Sequence, residues 1–400
     1  LIGAVLAVVS VLNNGGPNGG NADFVDLFTL SAALAAAGFL AGAVSLVTTI
    51  LTTRAPGMNM RRVPFFTWSV LVASLGLLVA MPVLIGQLLY VFVAHRHPSL
   101  SELSGNRAFA EFAGFGFTQP TTIIFAIPVF GFFAEVVATF TRGRSRNRGL
   151  IFAGIGLVGV AVFGTVLQWP ATLRTSFLDL SFGEKLKDLL PFALVHGVPA
   201  LGALVAVALC AKGLSAKPTI TAPLVFGLFS ALLALCGVAA GALIRVAGAG
   251  LIGTACGEGT WRALVFSAVL ATMGAVTYWG PKWWGRSLPP KAVLPLALLA
   301  FAGAALAALP LMVAGFADQP GGVFPAVERG SDAVVNFDYS GPMALWNLLS
   351  SVGHGMVLLA GLVFIAVAVR SVRAGERAGD DPWDGHTLEW ATTSPAPADN

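Results

Sequence analysis

Five histidines are the residues of this 400-residue chain best suited to hold a metal or move a proton near neutral pH: His95, His97, His196, His354 and His386. His95 and His97 flank Arg96 in a polar stretch. A surface metal would find two imidazoles there, and a solvated loop explains the same residues. His196 and His354 fall inside apolar runs. An imidazole in lipid is costly and marks a functional candidate. The competing reading is a ring hydrogen-bonded to a backbone carbonyl, since neither has a histidine neighbour at H-H or H-x-x-x-H spacing. Glu135 also lies in an apolar run. It reads as a polar group reaching the interface or pairing with the arginines of 142–148, with a proton-path role as the alternative. Cys210, Cys236 and Cys256 form no C-x-x-C pair, which argues against cysteine-held zinc or iron–sulfur. The Gly-rich stretch 13–21 lacks the Lys-Ser/Thr of a phosphate loop and reads as a turn-rich linker.

The elements that must position these residues are membrane helices. The chain is 56% hydrophobic and only 10% charged, whereas soluble domains carry about 25% charged residues. Lipid is therefore an expected partner. Residues 1–12 are apolar but too short to span, and read as the end of a helix that begins outside this chain. Nine apolar segments follow: 26–51, 65–93, 117–140, 150–168, 190–211, 220–244, 262–281, 292–316 and 344–370. Each is expected to cross the roughly 30 Å hydrocarbon layer. A single membrane domain over 1–400 is expected, with 1–12 a partial span, nine transmembrane helices within 26–370 and a tail at 371–400. Every second loop is basic, carrying most of the 23 Lys+Arg. That places these loops, and the tail, in the cytoplasm of a cell with this protein in its plasma membrane. Topogenic charge accounts for the basic loops, so no nucleic-acid partner is expected.

Five motifs occur in a fixed order. Arg54-Ala55-Pro56-Gly57-Met58 follows the first full span, and Arg62-Val63-Pro64-Phe65-Phe66-Thr67-Trp68 opens the next. Tyr278-Trp279-Gly280-Pro281-Lys282 closes a later span. Trp346-Asn347 precedes Ser350-Ser351-Val352-Gly353. The tail reads Pro382-Trp383-Asp384-Gly385-His386-Thr387-Leu388-Glu389-Trp390. Together they resemble subunit I of the cytochrome c oxidases, the large subunit of the heme-copper oxidases. The resemblance implies an all-α polytopic membrane bundle of about nine full spans plus an N-terminal partial span, without the family's first two to three spans.

The family's chemistry is carried by heme and copper on imidazoles. At the matching positions the resemblance implies substitution. An H-P-E-V-Y segment becomes Gln119-Pro120-Thr121-Thr122-Ile123, so Gln119 stands for a copper histidine, Thr121 for a proton-relaying glutamate and Ile123 for a tyrosine. A copper H-H pair becomes Trp169-Pro170, and Ala203 replaces a proton-path lysine. Gly259 and Trp261 stand where the H-x-H of the two hemes belongs, and Gly321-Gly322 where an arginine pair meets heme propionates.

Three functional readings remain open at this point. The first is a redox-inactive subunit or scaffold, a pseudoenzyme of the respiratory chain associated with other respiratory-complex subunits. It is expected to carry no cofactor and no metal. The second is a working terminal oxidase subunit, passing electrons from cytochrome c to O2 with proton pumping. The third is a transporter or channel reusing the bundle.

Overall fold

The computed structural model describes residues 1–16, 19–97, 121–142, 147–167, 171–216, 218–321, 341–385 and 387–397. Helix α1 (Ile2–Leu12) leads into a glycine hairpin, β1 (Gly15–Gly16) with β2 (Gly19–Gly20). Asn21 then caps α2 (Ala22–Thr52) by accepting from Asp23 N at 3.1 Å, which satisfies one of the orphan donors of a helix start. Next come α3 (Phe65–Arg96), α4 (Thr121–Phe140) and α5 (Arg148–Val158). A 3-10 turn (Gly159–Ala161) joins α5 to α6 (Val162–Leu167). Helix α7 (Phe182–Phe192), a π turn (Ala193–Gly197) and α8 (Val198–Gly213) run as one apolar rod. The order closes with α9 (Ala222–Ile244), α10 (Ala255–Trp284), α11 (Pro290–Phe316) and α12 (Met343–Ala374).

Among the described residues, eight helices are long and apolar enough to cross a membrane. They follow the expected order, with three differences. Segment 150–168 is not one long helix: α5 tightens into 3-10 geometry at Gly159, leaving a shorter apolar helix over Arg148–Gly164. Glycines at 154, 156 and 159 each weaken a helix by about 1 kcal/mol relative to alanine. The rod containing α7 begins at Phe182, eight residues before the apolar run, because Ser181 and Glu184 form a capping box ahead of it. Helix α10 begins at Ala255, where Thr254 supplies the N-cap.

Helix α4 is the centre of the bundle. Its apolar window is 83% buried, against 11% for α2 and 22% for α12. Phe130, Phe132, Phe133, Ile124 and Ile127 are enclosed by α3, α8, α9 and α10. Small residues set the closest crossings. A Cβ on Gly353 would lie 2.3 Å from Ala307 N and 2.5 Å from Gly303 O, so α11 and α12 meet backbone to backbone. Gly154 and Gly202 do the same for α5 and α8. Leucines such as Leu358 and Leu362 on α12 face outward, as lipid-facing side chains do.

Candidate functional site

The motif residues converge on one end of the bundle. Tyr278, on α10, is fully buried. The tail folds back over it: Trp383 Nε1 donates to Tyr278 O at 2.9 Å, and Trp390 Nε1 donates to Tyr278 Oη at 3.1 Å. Tyr278 Oη lies 2.8 Å from Thr139 Oγ1. Thr139 also donates to Glu135 O at 3.1 Å, so the tyrosine hydroxyl donates to Thr139. A chain of donors thus runs from Trp390 through Tyr278 and Thr139 into α4. Trp383 stacks on Tyr278, with centroids 6.1 Å apart and planes at 12°.

Lys282, one turn on, is 8% exposed and donates to Thr392 O at 2.7 Å, Thr393 O at 3.3 Å and Asp380 O at 3.4 Å. Its ammonium also sits 5.3 Å from the Trp390 ring centroid. Gly285, at φ +72°, ends α10 in the left-handed region that glycine tolerates. It lets β3 (Arg286–Ser287) pair with β4 (Glu376–Arg377). Arg142 pairs with Asp384 at 2.9 Å, and Arg286 donates to Gly375 O at 2.7 Å. The basic loops and the tail therefore share one end.

The Arg54 loop belongs to the same end. Arg54 donates to Ile50 O, Leu51 O and Met58 O, closing the loop on itself. A cavity of about 460 Å³ is lined by Arg54, Met58, Pro64, Thr67, Trp279 and Glu389, among others. Residues from four of the five motifs meet there. Burial holds the Glu389 carboxyl above the usual carboxylate range, with burial the largest cause.

Glu135, expected to reach the interface or to pair with the arginines of 142–148, interacts electrostatically with Arg148. It is 4% exposed, and Oε2 accepts from Phe66 N at 3.2 Å. A carboxylate from α4 thus satisfies an orphan N–H at the start of α3, where Pro64 offers no side-chain cap. Arg148 also donates to Val63 O and Arg61 O and lies over the Phe65 and Phe152 rings at 4.6 and 4.9 Å.

The positions matched to metal and proton chemistry do not assemble a site among the described residues. Thr121 is the first residue of α4, and Ile123 is buried in its apolar core. Ala203 is fully enclosed on α8. Gly259 sits against α11, where a Cβ would lie 2.6 Å from Ala308 O. Trp261 is 40% exposed on α10. Gly321 donates its N–H to Gly253 O at 2.8 Å. Gln119, Trp169, Pro170, Gly322 and His386 lie outside the described residues.

His196 is buried within the π turn, its ring 5.8 Å from Phe192. His354 Nδ1 is 2.7 Å from Ser350 O, one turn back on α12. His95 is drawn to α2: its Nδ1 lies 2.6 Å from Asp26 Oδ1, and Arg96 Nε lies 2.6 Å from the other oxygen of that carboxylate. No three His, Cys, Asp or Glu gather to hold a metal among the described residues. None of the described residues at the matched positions is a histidine.

Sequence reasoning missed two arginines at the opposite end. Arg245 caps the end of α9, and its buried Nε has no hydrogen-bond partner among the described residues. Arg262, on α10, pairs with Glu258 at 3.0 Å and donates to Ser350 Oγ at 2.9 Å. The signal in the sequence was their place on either side of the glycine-rich loop 246–253, outside the basic loops.

Comparison with known proteins places this arrangement. The family described as "Cytochrome C and Quinol oxidase polypeptide I" matches residues 1–356. The "Cytochrome c oxidase subunit 1" of Bacillus subtilis is 26% identical over 384 residues, covering 94% of this chain and 58% of the relative. That of Bacillus sp. (strain PS3) is 26% identical, covering 94% and 59%. That of Cereibacter sphaeroides is 25% identical, covering 93% and 64%. The chain thus spans about three fifths of the length of the curated relatives it matches. These matches overturn the expectation of a chain without heme or copper. The relatives are large subunits of heme-copper oxidases, which carry both groups.

Proposed function

Because the chain belongs to the cytochrome c and quinol oxidase polypeptide I family, we propose that it serves as a subunit I-like membrane component of a respiratory complex, with an assembly role rather than oxygen reduction. The reading takes the chain as one membrane domain in the plasma membrane, its tail on the cytoplasmic side. The observation that carries it is the convergence of the retained motifs on the tail end. Tyr278, Trp279, Lys282, Trp383, Glu389 and Trp390 build a packed cap, while Ile123, Ala203, Gly259 and Trp261 carry no imidazole, carboxylate or ammonium. The proposal concerns turnover and not loading, for which the family brings heme and copper.

Family membership favours the rival reading, a working oxidase subunit that passes electrons from cytochrome c to O2. One experiment separates the two. The protein is purified from native membranes in mild detergent, crosslinked, and assayed for O2 uptake with reduced cytochrome c. Stoichiometric co-purification with other membrane subunits, without O2 uptake by this chain's own complex, is the expected result. A monodisperse monomer with no crosslinked partner overturns the assembly role. O2 uptake abolished by substituting His196 or His354 establishes the rival.

A further inference from the structure

The cavity of about 460 Å³ beside the cap is shared by separate parts of the chain. The end of α2 contributes Thr49 and Thr53, the loop after it Arg54, the start of α3 Thr67, and the tail Glu389. Small-ligand sites commonly enclose about 300–1,000 Å³.

Two groups of opposite charge stand in this one space. Arg54 is fixed by its bonds to Ile50 O at 3.0 Å, Leu51 O at 2.9 Å and Met58 O at 3.3 Å. Those acceptors are neutral carbonyls, so they position the guanidinium without cancelling its charge. Glu389 arrives with the tail, and the Trp279 indole engages its carboxyl. Burial raises that carboxyl above its ordinary range, and an ammonium lodged beside it would restore the carboxylate. Between the two charges lie hydroxyls. Thr53 Oγ1 donates to Thr49 O at 2.6 Å, which leaves its oxygen as an acceptor for a further donor.

The cavity sits where α2 leaves the apolar layer. In the last turns of α2, Val44, Leu46 and Leu51 are 51%, 46% and 46% exposed, as lipid-facing side chains are. A ligand anchored in the bilayer beside α2 therefore reaches the cavity with its polar end. We propose that the cavity is a headgroup site for an aminophospholipid of the phosphatidylethanolamine class, its phosphate on Arg54, its ammonium on Glu389 and its acyl chains in the bilayer along α2. Arginine suits phosphate through its fork of donors. A primary ammonium brings three N–H donors to the carboxylate and the threonine oxygens. Phosphatidylglycerol offers phosphate without the ammonium, and phosphatidylcholine offers a cation with no N–H to donate. The basic loops at this end draw anionic lipid to the surface, so a preference for a zwitterion reports the cavity and not the surrounding field.

Native mass spectrometry of the full chain, released from nanodiscs of phosphatidylethanolamine, phosphatidylglycerol and phosphatidylcholine in equal parts, tests this. The expected result is one retained phosphatidylethanolamine, favoured about tenfold over either competitor, as one charge-assisted contact gives. Glu389→Gln removes the preference over phosphatidylcholine, and Glu389→Asp keeps part of it. Arg54→Gln lowers retention of both of these lipids. Thr67→Trp fills the cavity and lowers retention with both charges in place, which separates occupancy from a disturbed loop or tail. Free phosphoethanolamine is the control for a site that takes the headgroup alone. Equal retention of the three lipids, a preference for phosphatidylglycerol, a preference unchanged in Glu389→Gln, or retention of phosphoethanolamine without lipid would each overturn the proposal.

Discussion

The two ends of the bundle solve opposite problems. At the tail end, polar side chains act mainly on main-chain oxygens: Lys282 on the carbonyls of Asp380, Thr392 and Thr393, Trp383 on that of Tyr278, Arg286 on that of Gly375. Any sequence supplies those acceptors, so a few motif residues suffice to hold the cap. At the other end, Arg262 works through side chains, Glu258 and Ser350, and the buried Nε of Arg245 has no hydrogen-bond partner among the described residues. A cap built on backbone acceptors survives sequence divergence. A site needing several side chains at once loses its definition when one changes.

Four substitutions break or sharpen that contrast. The largest effect belongs to Trp390→Ala, which empties a site 3% exposed and removes the donor to Tyr278 Oη. Truncating a buried tryptophan costs about 3–5 kcal/mol. Thermal unfolding in detergent and protease cleavage near 378–397 are the measurements, and a tail that stays protected would show that another contact holds it. Lys282→Met comes next. It abandons three carbonyls, and hydrogen bonds to a charged group contribute about 1.5–3 kcal/mol each at most. The expected result is a lowered melting temperature with the tail partly protected.

Arg245→Ala, measured in lipid-free detergent, should shift stability by no more than about 0.5 kcal/mol, since its buried Nε makes no hydrogen bond among the described residues. A loss as large as that of Lys282→Met would erase the difference between the two ends.

The smallest effect is in pH. Burial raises the Glu389 carboxyl, so the docked tail binds its proton more tightly than the free tail does. Stability from this group is complete below the ordinary glutamate pKa of about 4.3. It is lost as pH rises through the higher, docked value. Tail protection measured from acidic to neutral pH should therefore decline for the parent and flatten for Glu389→Gln. An identical slope in both would assign the pH dependence to another group.

Much of this fold was legible in the residues. Apolar runs of 20 or so leave few alternatives in a bilayer, and the order of spans followed. The break after Val158 was hidden because glycine is common in packed membrane helices as well as at distortions. The early start of the rod at Phe182 was hidden because Glu184, Lys185, Lys187 and Asp188 look like loop. The cap was legible only as separate motifs. That Trp390 reaches Tyr278 across 112 positions is a tertiary fact no local pattern contains. The bond from Phe66 N to Glu135 was hidden for the same reason, since it depends on where α3 begins.

The seal over Tyr278 also fixes an order of events during synthesis. Tyr278 and Thr139 enter the membrane early, but the indole that closes over them is made 112 residues after Tyr278. At about 5–20 residues per second, that leaves an interval of roughly 6–22 s. Throughout it, the basic end of the bundle is open, with Lys282 uncommitted and the Arg54 loop in place. A chaperone or neighbouring subunit that reads this face has a bounded window in which to act. Closure of the tail over Tyr278 then withdraws the face from further exchange.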